Sequence, residues 1–171
     1  DEDKVYVAQR GNITLLDRKS GEKIDQQNLT GACIDQLLCD QGMLFVSLRG
    51  EVSAYNINDF LRQWETMLPV FELARTEDNL YVSLEDYKGV VALNPHSGKI
   101  NWASSEGVRH IICEGDVIYG NQYGLVKKLD NAGNKVWEAQ INNAPVAIMK
   151  ANDGRLYVGT IFGEVYALNG N

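Results

Sequence analysis

A glycine recurs at positions 11, 50, 89, 124 and 163, and an Asp or Asn follows each of them at 17, 56, 94, 130 and 169. The steps are 39, 39, 35 and 39 for the glycines, and 39, 38, 36 and 39 for the acid or amide. A fixed period constrains a fold more than any other sequence feature, because every copy must solve the same packing problem. The aligned pieces are KVYVAQRGNITLLD, MLFVSLRGEVSAYN, NLYVSLEDYKGVVALN, DVIYGNQYGLVKKLD and RLYVGTIFGEVYALN. Each opens on a run of period two, as in Leu80-Tyr81-Val82 and Leu156-Tyr157-Val158, which is the pattern of a strand with two unlike faces. A short link containing glycine leads to a second such run, the sign of an antiparallel hairpin.

After the second run come DRKSGEK, NINDFLRQ, NPHSGK and DNAGNK. An Asp or Asn at the front of such a stretch folds its side chain onto backbone amides two residues on, and glycine completes the turn. Trp64, Trp102 and Trp137 then follow at offsets of 8, 8 and 7, and they are all the tryptophans in the chain. A further strand precedes every hairpin but the first: ACIDQLLC, PVFELAR, RHIIC and APVAIMK. Pro69 and Pro145 stand at the heads of two of these strands, where a missing amide costs little. The complete unit is therefore four antiparallel strands, and the repeats run approximately over 1–31, 32–68, 69–107, 108–143 and 144–171. INDFLRQWE is the nearest approach to a helical period, and its register makes it turn plus strand.

Four-stranded units of this length arranged radially are propeller blades. The stretch Ala92-Leu-Asn94-Pro-His-Ser97-Gly98-Lys99-Ile-Asn-Trp102 resembles the tryptophan-docking motif of the PQQ-like repeat family. Ala54, Asn56 and Trp64 keep its spacing without Ser-Gly, Asp130, Gly133, Lys135 and Trp137 keep it in a copy one residue shorter, and Ala167-Leu-Asn169 begins it again. The resemblance spans the chain and implies an all-β fold, a propeller of four-stranded antiparallel blades. It also implies that each indole lies against the neighbouring blade. Trp64, Trp102 and Trp137, with the hairpin glycines Gly11, Gly50, Gly89, Gly124 and Gly163, are the residues expected to hold the blades together. Asp25 stands at the tryptophan position of the first copy and departs from the motif.

The chain holds five hairpins but four inner and four outer strands. That leaves either a small ring with two thin blades or a partial ring cut from a larger one, and the family's usual blade number favours the partial ring. An open arc exposes strand edges, which invite completion by another chain or self-association.

The 171 residues are 44% apolar, enough for a folded core, and carry a net charge of −7. That field repels polyphosphates, and Lys and Arg are scattered singly, so no nucleic-acid partner is expected. No apolar run approaches a membrane span of about 20 residues, so no membrane insertion is expected. Cys33, Cys39 and Cys113 form no CxxC pair, and His96 and His110 are the only histidines. This argues for no metal site and for thiols acting as small apolar side chains. The opening DEDKVYV lacks the basic and apolar regions of a signal peptide, and does not choose between a cytosolic, a processed and a trimmed chain. The resemblance favours an extracytoplasmic, periplasmic location; three unpaired cysteines suit a cytoplasmic one.

No nucleophile elbow, phosphate loop or dinucleotide fingerprint is present. The resemblance accordingly implies a scaffold, adaptor or sensor module with a protein partner, no catalytic residues and no cofactor. A small-ligand or carbohydrate-binding propeller is the alternative, with Asp35, Glu72 and His110 on innermost strands lining an axial channel. A fragment of a quinone-dependent dehydrogenase is the third reading, and the chain shows neither the adjacent cysteines nor the calcium-ligand cluster that this would need.

Overall fold

The computed structural model describes residues 3–29, 33–48, 50–114 and 117–170. These form five antiparallel sheets, and one sheet falls within each repeat of the sequence. The first is β1 (Lys4–Gln9), β2 (Asn12–Asp17) and β3 (Lys23–Asn28). The second is β4 (Ile34–Asp40), β5 (Met43–Leu48), β6 (Glu51–Asn56) and β7 (Arg62–Met67). The third is β8 (Val70–Arg75), β9 (Leu80–Leu84), β10 (Val90–Leu93) and β11 (Ile100–Ser104), with a single 3₁₀ turn at Glu85–Tyr87 between β9 and β10. The fourth is β12 (Ile111–Glu114), β13 (Val117–Gln122), β14 (Leu125–Leu129) and β15 (Lys135–Gln140); the fifth is β16 (Pro145–Lys150), β17 (Arg155–Thr160) and β18 (Val165–Asn169). In every sheet the strands lie side by side in chain order, so each connection is a hairpin.

The chain divides into two compact units, one of Asp1–Val70 with Pro95–Lys99 and one of Phe71–Asn94 with Ile100–Asn171. The core of the first is Ile13, Leu15, Leu44, Val46, Leu48 and Tyr55. In the second, Tyr81, Val90, Ala92, Val108, Ile111 and Leu129 form one cluster, and Val126, Ile141, Leu156 and Val158 another. Middle strands such as β5 and β10 are buried on both faces, which is why MLFVSL and VVAL read as nearly continuous apolar runs.

The hairpin links differ in length, and the backbone shows how. Arg10-Gly11 and Tyr123-Gly124 have φ of 48° and 79°, and 42° and 78°, the two positive values of a tight two-residue turn. The β17–β18 link is one residue longer, with Gly163 N donating to Thr160 O at 3.0 Å. The β9–β10 link is longer still: Leu84 N reaches Gly89 O at 2.9 Å across a loop in which Asp86 and Tyr87 both have φ of 57°.

One irregularity recurs. The pairing slips by one residue between Leu15 and Leu16, Ala54 and Tyr55, Ala92 and Leu93, and Lys128 and Leu129. The residues directly across from this bulge are Asp25, Trp64, Trp102 and Trp137. A bulge bends its strand and re-aims a side chain, so the same local defect positions every indole. The turn before it is fixed by its leading acid or amide: Asp17 Oδ1 accepts from Lys19 N at 3.0 Å and Ser20 N at 2.7 Å, and Asp130 Oδ1 from Ala132 N at 2.9 Å and Asn134 N at 2.8 Å. The Asn134 side-chain amide, 3.1 Å from Asp130 Oδ2, and the main-chain amides hold Asp130 below the ordinary carboxylate value, and Ser20 and Lys19 do the same for Asp17.

Candidate functional site

The tryptophans are seated in a repeated way. In the first unit Trp64 is buried against the Pro95–Lys99 turn, where Nε1 donates to Pro95 O at 2.9 Å. The indole covers Gly98, whose φ is 67°; a Cβ there would lie 2.7 Å from Trp64 Cδ2. Two residues on, the Thr66 hydroxyl donates to Gly98 O at 2.7 Å. In the second unit Trp102 covers Gly133 (φ 80°), where a Cβ would lie 2.8 Å from Cε3, and the Ser104 hydroxyl donates to Gly133 O at 2.7 Å. An indole plus a hydroxyl two residues later thus clamp one glycine in each case. Trp102 Nε1 is buried and reaches no acceptor among the described residues. Its turn is one residue shorter than the one that faces Trp64. Trp137 packs against the cluster of Val126, Ile141, Leu156 and Val158.

The hairpin glycines stand elsewhere, and two of them face open space. Gly50 and Gly163 have φ of 89° and 82°, and a Cβ on either would meet nothing within 4 Å. They turn the chain, as Gly11, Gly89 and Gly124 do with φ of 79°, 133° and 78°, and the glycines under the indoles are Gly98 and Gly133. The serine or threonine two residues past each of Trp64 and Trp102 was available in the sequence as a further sign of the clamp.

Of the three residues expected to line a channel, Asp35 lies on β4 of the first unit and is exposed. Glu72 and His110 lie together in the second unit, His110 Nδ1 standing 3.5 Å from Glu72 Oε2. The same oxygen accepts from Ile111 N at 2.8 Å. Burial raises the Glu72 carboxyl above its usual value, against the pull of the Ile111 amide and the His110 ring. Among the described residues no group of three His, Cys, Asp or Glu side chains is arranged to hold a metal ion, and no helix is long and apolar enough to cross a membrane.

Beside this pair, a groove runs across the hairpin tips of the second unit. Its central ridge is Arg109, whose Cζ sits 4.3 Å over the Phe71 ring and 5.9 Å from the centre of Tyr87, with Nη1 donating to Tyr87 Oη at 3.3 Å. Ser83 Oγ donates to Arg109 O at 2.7 Å and pins that backbone. Below it, buried Lys127 donates to Glu106 Oε2 at 3.0 Å and Gly107 O at 3.2 Å, which fixes the loop leading to Arg109. Tyr87 lies against Tyr123 with ring centres 4.2 Å apart and planes tilted by 34°. Two cavities flank the Tyr87 and Arg109 wall. One of about 250 Å³ is lined by Phe71, Leu84, Glu85 and Asp86; the other, about 240 Å³, by His110, Tyr123, Pro145, Val146 and Ile161. Apolar surface is open here: Tyr123 is 71% exposed, Ile161 62% and Phe162 77%. The sequence reading passed over Tyr87, Arg109 and Tyr123. The available sign was the residue one or two before each recurring glycine, which changes in the sequence from arginine at 10 and 49 to aromatic at 87, 123 and 162.

A family model described as outer membrane protein assembly factor BamB matches residues 1–106 and 122–171. The chain belongs to this family. Among solved structures, BamB from Moraxella catarrhalis superimposes with a TM-score of 0.81 at 19% identity, over 98% of this chain and 56% of that one. A chain of the mitotic checkpoint complex gives 0.82 at 15%, over 98% and 57%. The dihydro-heme d1 dehydrogenase NirN gives 0.75 at 15%, over 98% and 42%. These likenesses are of fold, and they identify the five sheets as β-propeller blades with PQQ-like repeats. The chain spans just over half the length of the BamB structure it matches. No curated protein matches it in sequence.

Proposed function

We propose that this chain is a non-catalytic propeller scaffold whose docking surface for a protein partner is the Tyr87, Arg109 and Tyr123 rim of the second unit. The observation that carries this reading is the combination of open aromatic and aliphatic side chains with a guanidinium already held over the Phe71 ring and bonded to the Tyr87 hydroxyl. Interface centres are enriched in aromatic residues and arginine, and contiguous exposed apolar surface on a folded domain marks interaction sites. The family membership and the mitotic checkpoint neighbour agree with a role in assembly. The NirN neighbour, an enzyme by its name, shares the fold alone. Each cavity at the rim is smaller than the roughly 300–1,000 Å³ of an ordinary small-molecule site, which favours a protein partner over a small ligand.

The test is a photo-crosslinking amino acid placed at Tyr123 or Phe162, compared with the exposed turn positions Lys19 and Asn58 in the first unit. The reading expects a discrete adduct, of one mass, from the rim positions only. Equal labelling from all four positions, or none from the rim, contradicts it.

A further inference from the structure

The groove at the rim also limits how a partner can be held there, and this inference rests on the docking reading above. Strand addition needs free main-chain donors along an edge, and at Lys88, Ile111, Pro145 and Ile161 beside this groove none is free. Ile111 N, on the edge of β12, donates to Glu72 Oε2 at 2.8 Å. Pro145, at the head of β16, has no N–H. Ile161 N donates to Ala144 O at 3.0 Å, and Lys88 N to Glu85 O at 3.3 Å. The side chains offer recognition of their own: two tyrosine rings in contact, two cavities on either side of a ridge, and a tyrosine hydroxyl. Tyr87 Oη accepts from Arg109 at 3.3 Å, so its own proton is available for a carbonyl.

We infer that the groove binds a proline-rich segment in the polyproline II conformation, with a basic residue at the end that lies beside Glu85. Such a segment makes no internal hydrogen bonds, keeps its shape without main-chain partners, and docks on aromatic-lined grooves. Its turns place side chains in the two cavities across the Tyr87 and Arg109 ridge, and Tyr87 donates to one of its carbonyls. The polarity comes from charge: Glu85 and Asp86 border one cavity, Asp86 stands 3.4 Å from Lys88, and Glu85 makes no ion pair among the described residues. Tyr87 is held for this role by a loop in which two successive non-glycine residues have φ of 57°, a conformation that persists where a site requires it.

Three nine-residue peptides titrated into the ¹⁵N-labelled chain test this. The first is eight prolines ending in arginine, the second eight prolines ending in glutamate, and the third alternating threonine and valine ending in arginine. The first should shift the amides of residues 85–87, 109–110 and 123. Tyr123→Ala, at an exposed position, should weaken it about fivefold or more, and Tyr87→Phe, which keeps the ring, should weaken it also. The glutamate peptide should bind about two- to fivefold more weakly. Binding of the threonine-valine peptide in place of the proline peptides would overturn the inference and leave the docking reading standing. Absence of any shift at these residues up to millimolar proline peptide would overturn it too, while the cross-linking at Tyr123 reports on docking independently.

Discussion

Phe60, with φ of 57°, occupies the turn position that Gly98, with φ of 67°, fills one repeat later. The difference has a counterpart on the strand that would face each turn. Gly98 lies under Trp64, but the residue that corresponds to Trp64 one repeat earlier is Asp25, exposed on β3 and bonded to Gln26 N at 2.7 Å and Gln27 Nε2 at 2.8 Å. With no indole to receive, the turn does not need glycine, and Phe60 packs against the Ile13, Leu15, Leu44 and Tyr55 cluster. The aromatic ring is supplied from the other side of the joint.

Phe60→Gly should therefore destabilise the first unit by about 1–3 kcal/mol through lost burial. Asp25→Trp combined with Phe60→Gly should recover at least about 1 kcal/mol relative to the sum of the single changes. Urea unfolding of the four proteins measures this, and strict additivity would show that the two positions do not share one space.

Glu72 gives a pH dependence of defined sign. Its carboxyl is raised in the folded chain, chiefly by burial, so the folded state binds the proton more tightly than the unfolded state does. Its contribution to stability is present below the ordinary value of 4.5 and is lost as pH climbs through the raised value. Glu72→Gln keeps an acceptor for Ile111 N and should flatten that part of the stability curve. Unchanged curvature in thermal melts between pH 4 and 7 would contradict this.

The thiols should separate by reactivity. Burial pushes Cys113 up to about 12, whereas Cys33 is exposed. The thiolate is the reactive form, so in the native chain iodoacetamide at pH 8 should label Cys33 quickly and Cys113 only on unfolding. Mass spectrometry of timed samples reads the order, and equal rates would show that Cys113 is not enclosed.

Lys127 supports the rim from beneath. Its side chain is 8% exposed and satisfies both Glu106 and Gly107 O. Lys127→Ala should cost about 1–3 kcal/mol, because it leaves Gly107 O without its donor while the 30% exposed Glu106 rehydrates, and should raise amide exchange over residues 104–109. Loss of stability without faster exchange there would separate Lys127 from the Arg109 loop.

The fold was legible in the sequence to an unusual depth because each strand of period two was repeated, so an ambiguous copy such as INDFLRQWE could be read from the register of the others. The bulge that aims Trp64, Trp102 and Trp137 was not legible: nothing in Arg62-Gln63-Trp64 marks Gln63 as the unpaired residue. Glu72 and His110 were both placed on innermost strands by repeat position; Glu72 lies on β8, whereas His110 stands in the bend just before β12, from where its ring reaches Glu72. Arg109 was missed because its partners, Phe71 and Tyr87, come from different strands and a loop whose extra length gave no sign of its path. Recurrence reveals what every repeat shares, and the groove is built from what one repeat does differently.

The claim on which the scaffold rests is that an indole and a turn glycine fit one another. A double-mutant cycle on Trp64 and Gly98 tests it most directly, with Gly50→Ala as the control, since Gly50 shares the positive φ but faces open space. Trp64→Ala alone should cost about 3–5 kcal/mol, and Gly98→Ala in the parent about 2–4 kcal/mol, from the clash and the left-handed backbone together. In the Trp64→Ala background, Gly98→Ala should fall to about 1 kcal/mol, the cost expected of Gly50→Ala in either. An equal cost for Gly98→Ala with and without the indole would contradict the account.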